Sequence, residues 1–251
     1  VPILSVDLAY KSYREIGIVL LQQMQTGEIE CKRVPLEAAG EPEPSNVAVK
    51  VAQLANLNGC QIIMIDGPQA WKHPHNGHAY QRDCERKLNT PAKTGLPGEV
   101  LPANYRPFVC FAIDVFNYLS QLGFLRLQEG NFKSSKVAVE AFPLSAWKSL
   151  GFKPLKAKAK CRDADILAAT ALLTKSFPLH ISDALSHDEL QAAVSGLGGL
   201  ALEISMGGGF ELVGLPPVSF EGIWREGFIV NPRPWEYWEF GDTSSRNGAR
   251  D

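Results

Sequence analysis

Four acids stand where a folded chain must account for them. Gln61-Ile62-Ile63-Met64-Ile65-Asp66 is an apolar run that ends in a carboxylate and is stopped at once by Gly67-Pro68. That is the pattern of a strand buried on both faces, with Asp66 at its C-terminal edge. Ile3-Leu4-Ser5-Val6-Asp7 repeats the pattern, and Lys136-Val137-Ala138-Val139-Glu140 carries a third carboxylate inside an apolar stretch. Asp188 lies within a capping box, Ser186-x-x-Glu189, at the head of a helix. An ionised carboxylate beside apolar packing is costly unless a cation or hydrogen bonds offset it. Each acid also has a plain structural role. Asp7 or Asp66 would cap the following turn, Glu140 would pair with a buried Arg82 or Arg162, and Asp188 would suit the helix dipole.

The candidate cations fall in two places. Arg82, Glu85 and Arg86 share helical spacing in the segment that leaves Asp66, so they either orient the acids and contact phosphate or form a surface pairing. Lys148, Lys153, Lys156, Lys158, Lys160 and Arg162 form the dense basic block. Lys156 and Arg162 are its candidate phosphate contacts, against the commoner reading of a solvated charged face. His73, His75 and His78 are separated by Pro74 and Asn76-Gly77, which marks a solvated loop more readily than a metal cluster. Trp235, Tyr237, Trp238 and Phe240 have the spacing to stack bases, although a strap over the core is the more common use.

The elements that would position these groups follow from pattern. Glu15 to Gln22 and Glu28 to Leu36 read as strands joined to the first by short connections, an antiparallel meander. Ser45 is the expected N-cap of a helix through Asn58, and the Asp66 strand follows. The stretch from Gly67 to Pro107 lacks periodicity, and a connection of that length is usually functional or ordered by short helices of its own. Phe108 to Leu122 reads as a helix, Lys136 to Pro143 as a buried strand, and Pro143 to Leu150, Arg162 to Lys175 and Ser186 to Ile204 as helices. Met206-Gly207-Gly208-Gly209 lacks the ending of a phosphate-binding loop and reads as a turn between strands.

The whole chain sets bounds. Its 251 residues, 45% hydrophobic, suit one domain over 1–234 followed by a tail, 235–251, whose end from Thr243 is expected to be mobile. A net charge of −2 gives no global attraction to polyanions, so contact with nucleic acid would need a local basic patch. Five scattered cysteines without a Cys-x-x-Cys pair argue against a disulfide framework and a zinc ribbon, and a reducing cytoplasm is the expected setting. No basic-then-apolar leader and no apolar run of bilayer length are present, so no membrane association is expected.

Three meander strands, a helix, a strand, a helix, a strand and further helices make an α/β layout: a ribonuclease H-like mixed sheet, with a three-strand antiparallel meander plus two parallel strands and helices on both faces. Carboxylates from the first strand, the fourth strand and a late helix would converge there on divalent metal, which can activate water at a phosphodiester. On Val6-Asp7, Ile65-Asp66-Gly67-Pro68, Arg82-Asp83-Cys84-Glu85-Arg86, Val139 to Pro143 with Trp147, and Glu221-Gly222 leading to Ile229-Val230-Asn231-Pro232, the chain resembles the domain-of-unknown-function 429 family, described as nucleases of ribonuclease H-like fold. The resemblance implies a nuclease or phosphodiesterase using Mg²⁺ or Mn²⁺, with Asp7, Asp66, Glu140 and Asp188 catalytic and Asp7, Asp66 and Asp188 holding metal. Families of this fold often read Asp-x-x-Asp-Ala on the last helix; this chain reads Asp188-Glu189-Leu190-Gln191-Ala192. A non-catalytic binding module and an enzyme acting on a small phosphorylated molecule are the alternatives.

Overall fold

The computed structural model describes residues 1–38, 40–128, 135–205 and 207–239. Met206, Phe240 and the tail from 240 to 251, including the end expected to be mobile, lie outside the described residues. In chain order the strands are β1 (Ile3–Asp7), β2 (Gly17–Gln23), β3 (Ile29–Arg33), β4 (Ile62–Asp66), β5 (Lys93–Thr94), β6 (Val100–Leu101), β7 (Leu125–Arg126), β8 (Val137–Ala141), β9 (Leu179–Ile181), β10 (Phe210–Phe220) and β11 (Ile223–Pro232). The helices are α1 (Pro44–Leu57), α2 (Asp83–Leu88), α3 (Arg106–Gln121), α4 (Pro143–Ser149), α5 (Asp163–Ser176) and α6 (His187–Ile204).

The meander β3-β2-β1 is antiparallel, and β4 and then β8 add to it in parallel. The order β3-β2-β1-β4-β8 is the ribonuclease H-like arrangement. The sheet runs on to β9 beside β3 and to the β10–β11 hairpin beside β8, with β7 pairing the first half of β8. Because side chains alternate across a strand, one face buries Ile3, Ile62, Met64 and Val139 under α4, α5 and α6. The other buries Leu4, Val6, Ile63 and Ile65 under α1 and α3.

Three expectations need correcting. Helix α1 starts at Pro44 with Glu43 in the cap position and no side-chain cap bond, so Ser45 is not the N-cap; proline fits the first helical position because its missing N–H has no intrahelical partner there. The residues Gly207 to Gly209 lead from α6 into β10 and do not join two strands. The two longest strands, β10 and β11, have no bounds in the sequence pattern beyond a strand expected after Gly209. Pro216-Pro217 interrupts the pattern, and it falls where the register shifts between Leu215 and Val218 on the edge strand, the place where missing donors are tolerated. The hairpin turns at Glu221-Gly222, whose φ values of 52° and 74° are those of a tight two-residue hairpin turn. No helix among the described residues is long and apolar enough to cross a membrane.

Candidate functional site

Strands β1 and β4 are parallel neighbours in which Asp7 is the register partner of Asp66. Both side chains therefore leave the sheet on the same face, at its carboxyl edge, toward α6. Burial pushes Asp7 well above the usual carboxylate range; the charge of Asp66, a hydrogen bond shared with it and the charge of Asp188 add to the rise, while Lys158 opposes it. Burial likewise raises Asp66 to about 7, with the charge of Glu140 adding and the hydrogen bond from Asp7 opposing. Two carboxyls in contact cannot both ionise without a cation. The crowding of the two carboxyls thus favours a shared proton unless a cation lies between them.

The third aspartate arrives on α6. Gly196 and Gly199 let that helix lie on the sheet, since a Cβ at either would stand 2.4 Å from Leu21 or Met64. Asp188 comes to this end but already has partners: its Oδ1 meets Nδ1 of His187 at 3.0 Å, and its other oxygen forms an ion pair with Lys158. Burial works to raise Asp188, and the hydrogen bonds from His187 and Lys158 outweigh it and hold the carboxyl below its ordinary value. Among the described residues no group of three or more His, Cys, Asp or Glu side chains is placed to hold a metal ion. The carboxyls that meet are the pair Asp7 and Asp66; the expected triad with Asp188 is not assembled. Gln191 does not stand in for a missing acid, because its Oε1 accepts from Nε1 of buried Trp147 at 2.7 Å.

Glu140 lies elsewhere. Its register partner is Ile65, not Asp66, so its side chain leaves on the opposite face of the sheet. There it accepts from Nη1 and Nη2 of Arg82 at 2.7 Å each and from the Gln69 N–H at 3.0 Å. Arg82 also donates through Nε and Nη2 to Glu85 Oε1, at 3.0 and 2.9 Å, and is 1% exposed. A phosphate-contact role for Arg82 therefore does not fit, and of the two readings of Glu140 the geometry matches the ion pair. Arg86 is exposed and meets Nδ1 of His78 at 3.0 Å. Lys156 pairs with Asp165 at 2.7 Å, and Arg162 projects from the head of α5 with its side chain 81% exposed. The Lys156 carbonyl meets Nε2 of His187 at 3.0 Å, which ties the basic segment to the head of α6.

No protein-family model matches the chain, and no curated protein matches it in sequence. Among solved structures it is similar to RuvC of Thermus thermophilus, with 8% identity over 77% of this chain and 90% of that one at a TM-score of 0.38. The T. thermophilus RuvC complex with a Holliday junction substrate scores 0.36 at 10% identity, over 77% of this chain and 89% of that one. The yeast mitochondrial Holliday junction resolvase scores 0.37 at 9% identity, over 77% and 74%. At these scores the likeness carries no statement about residues or activity.

Several organising residues have no sequence signal. Glu226, 2% exposed and at φ 58°, accepts from the His73 N–H, Asn76 Nδ2 and the Asp83 N–H, so it pins the loop after Asp66 to the start of α2. Arg126 donates to the Gln69 carbonyl at 3.1 and 2.9 Å and stacks on Trp224; burial lowers it to about 9, against the charge of Glu140. His73 and His75 pack edge-on to Phe220 with centroids 4.9 and 6.0 Å away, which answers the histidine loop with packing. Trp235 and Trp238 pack edge-on against Phe177 over the core, the strap reading.

Proposed function

We propose that the chain is a phosphodiesterase dependent on Mg²⁺ or Mn²⁺, acting on nucleic acid, and that Asp7 and Asp66 are its central carboxylates. The observation that carries this reading is the register pairing of two buried aspartates at the carboxyl ends of parallel strands, where open α/β sheets bind ligands. The donor set fits a hard cation: Mg²⁺ is typically held by one or two carboxylates and keeps its remaining positions for water and substrate phosphate. Bound between Asp7 and Asp66, it would supply the charge that lowers the pKa of a water and neutralises phosphoryl oxygens.

The chain's own groups do the rest. Asp66 and Asp7 in their ionised form hold the site's negative charge, and Asp66, at about 7, is the group poised to lose its proton near neutrality. Lys158, paired with Asp188 and felt by Asp7, puts positive charge beside the acids, and Lys156, Lys160 and Arg162 in the same stretch of chain would extend it along a phosphate backbone. Glu140, Arg82 and Glu85 form a rigid support behind the Asp66 loop.

The test is cleavage of a panel of single-stranded, duplex, hybrid and branched DNA and RNA with Mg²⁺ or Mn²⁺. Asp66→Asn and Asp7→Asn keep side-chain size but remove charge, so each should abolish cutting while leaving a folded protein. Equal residual cutting by wild type and both variants would sink the proposal. A non-catalytic binding module is the second reading, favoured by the partners that Asp188 and Glu140 already have in Lys158 and Arg82.

A further inference from the structure

A cavity of about 190 Å³ opens at the carboxyl ends of β4 and β8, with Asp66 in its wall. Its floor is polar and buried: Arg82, Glu85, Glu140 and Thr94. Its sides are rings, those of Tyr105, Phe108 and Phe142 together with Pro91. Thr94 is fully buried and donates its N–H to Glu85 Oε2 at 2.9 Å, yet its hydroxyl has no partner among the described residues. A buried polar group left in that state costs about 1–3 kcal/mol, which a ligand reaching it would recover.

We infer that this cavity is a pocket for one unpaired nucleobase bearing an exocyclic amine, across the carboxyl edge of β4 from the phosphodiester that Asp7 and Asp66 would hold. It rests on the phosphodiesterase reading above. Three features select that ligand. The lining carries the carboxyls of Glu85 and Glu140 and the edge residue Asp66, and the Arg82 guanidinium is engaged by the two glutamates, so the cavity offers acceptors to N–H donors. Glu140 Oε1 receives one bond from Arg82, and a carboxylate oxygen has capacity for a second. The volume falls below the ~300–1,000 Å³ of clefts that enclose drug-sized ligands, so it suits a single ring system beside the aromatic residues of the lining. A base can enter only from outside a duplex stack, which makes the substrate single-stranded or locally unpaired at the cut.

Cytidine and uridine separate the chemistry, because cytosine presents an amine where uracil presents a carbonyl. The experiment follows backbone amides by ¹H–¹⁵N NMR in metal-free protein titrated with cytidine, uridine and ribose 5-phosphate. Cytidine should shift Thr94, Ala141 and Phe142 saturably, uridine should bind at least about fivefold more weakly, and ribose 5-phosphate should leave these amides unmoved. Thr94→Val should weaken cytidine about tenfold, the loss of roughly one hydrogen bond. Ala92→Phe, which adds a ring to the wall, should abolish the cytidine shifts while Mn²⁺ binding persists. Cytidine that shifts none of the three amides, or binds no better than uridine, or is indifferent to Thr94→Val, overturns the pocket. Asp66-dependent cleavage alongside such a result leaves the phosphodiesterase standing without the pocket. Saturable cytidine binding in a protein that cuts no substrate upholds the pocket and removes the phosphodiesterase.

Discussion

A Cβ on Gly17 would stand 2.3 Å from the carbonyl carbon of Asp188. Gly17 is also the register partner of Asp7 on β2, so the bare backbone at this position seats the first turn of α6 level with the carboxylate pair. Helix and strand can meet only because no side chain intervenes.

Gly17→Ala should therefore push the head of α6 outward. Overpacking of this kind typically costs about 1–3 kcal/mol, a fall in Tm of several degrees for a chain of this size. Because Lys158 follows Asp188, the displacement should also weaken the coupling between the basic segment and Asp7. Thermal melts and the Asp7 titration by carboxyl NMR check both; an unchanged Tm with an unchanged titration would mean that the helix is not held by this contact.

The pair itself predicts a pH dependence whose sign follows from its proton affinity. Asp7 and Asp66 both have raised values in the fold, Asp66 to about 7. The folded chain thus holds more protons than the unfolded chain between the ordinary carboxylate range and about 7, and stability falls as pH rises through that window. Asp66→Asn removes the repulsion, so it should raise Tm at pH 8, change it little at pH 4, and flatten the slope between. In wild type, millimolar Mg²⁺ should restore Tm at pH 8 by mass action. A difference between wild type and Asp66→Asn that does not vary with pH would show that the two carboxyls do not share a proton.

The pair was legible in the sequence because each aspartate closes an unbroken apolar run, and the five central strands follow from runs of the same kind. Which of its two readings Glu140 follows, and what Asp188 pairs with, were not legible. Glu140 sits in a run resembling those of Asp7 and Asp66, but a register difference of one residue puts a side chain on the other face of a sheet, and register between strands is not written in either strand. Asp188 was readable as a helix-head acid; its tie to Lys158 depends on an irregular segment folding back. The β10–β11 hairpin escaped notice because Gly214, Pro216-Pro217 and Gly227 break its alternation, and nothing local marks a buried Glu226 in a left-handed conformation.

Arg82 and Arg86 look equivalent in the sequence and should behave oppositely. Arg82 forms the ion pair with buried Glu140 and also holds Glu85, so Arg82→Met leaves two carboxylates without this cation. Breaking a buried pair in this way costs roughly 3–5 kcal/mol, a fall in Tm of about 10 °C. Arg86→Ala, on an exposed side chain, should change stability by about 0.5 kcal/mol or less. Comparable Tm values for the two variants would refute the support role assigned to Arg82.

Lys158 gives the most direct handle on the acids. Its side chain is 51% exposed, it pairs with Asp188, and its charge opposes the rise at Asp7. An ammonium at this position competes with any divalent cation for the same negative field. The like-charge interaction, across partly hydrated surroundings, is on the order of 1 kcal/mol. Lys158→Met should therefore tighten Mn²⁺ binding several-fold in isothermal titration. The same substitution removes one contact from the basic segment, so affinity for an oligonucleotide should fall and its salt dependence should become shallower by about one ion. Tighter metal binding with weaker oligonucleotide binding places Lys158 between the acids and the backbone. Weaker binding of Mn²⁺ would instead mean that Lys158 holds Asp188 in the orientation the metal needs, and its role as a competing cation would be wrong.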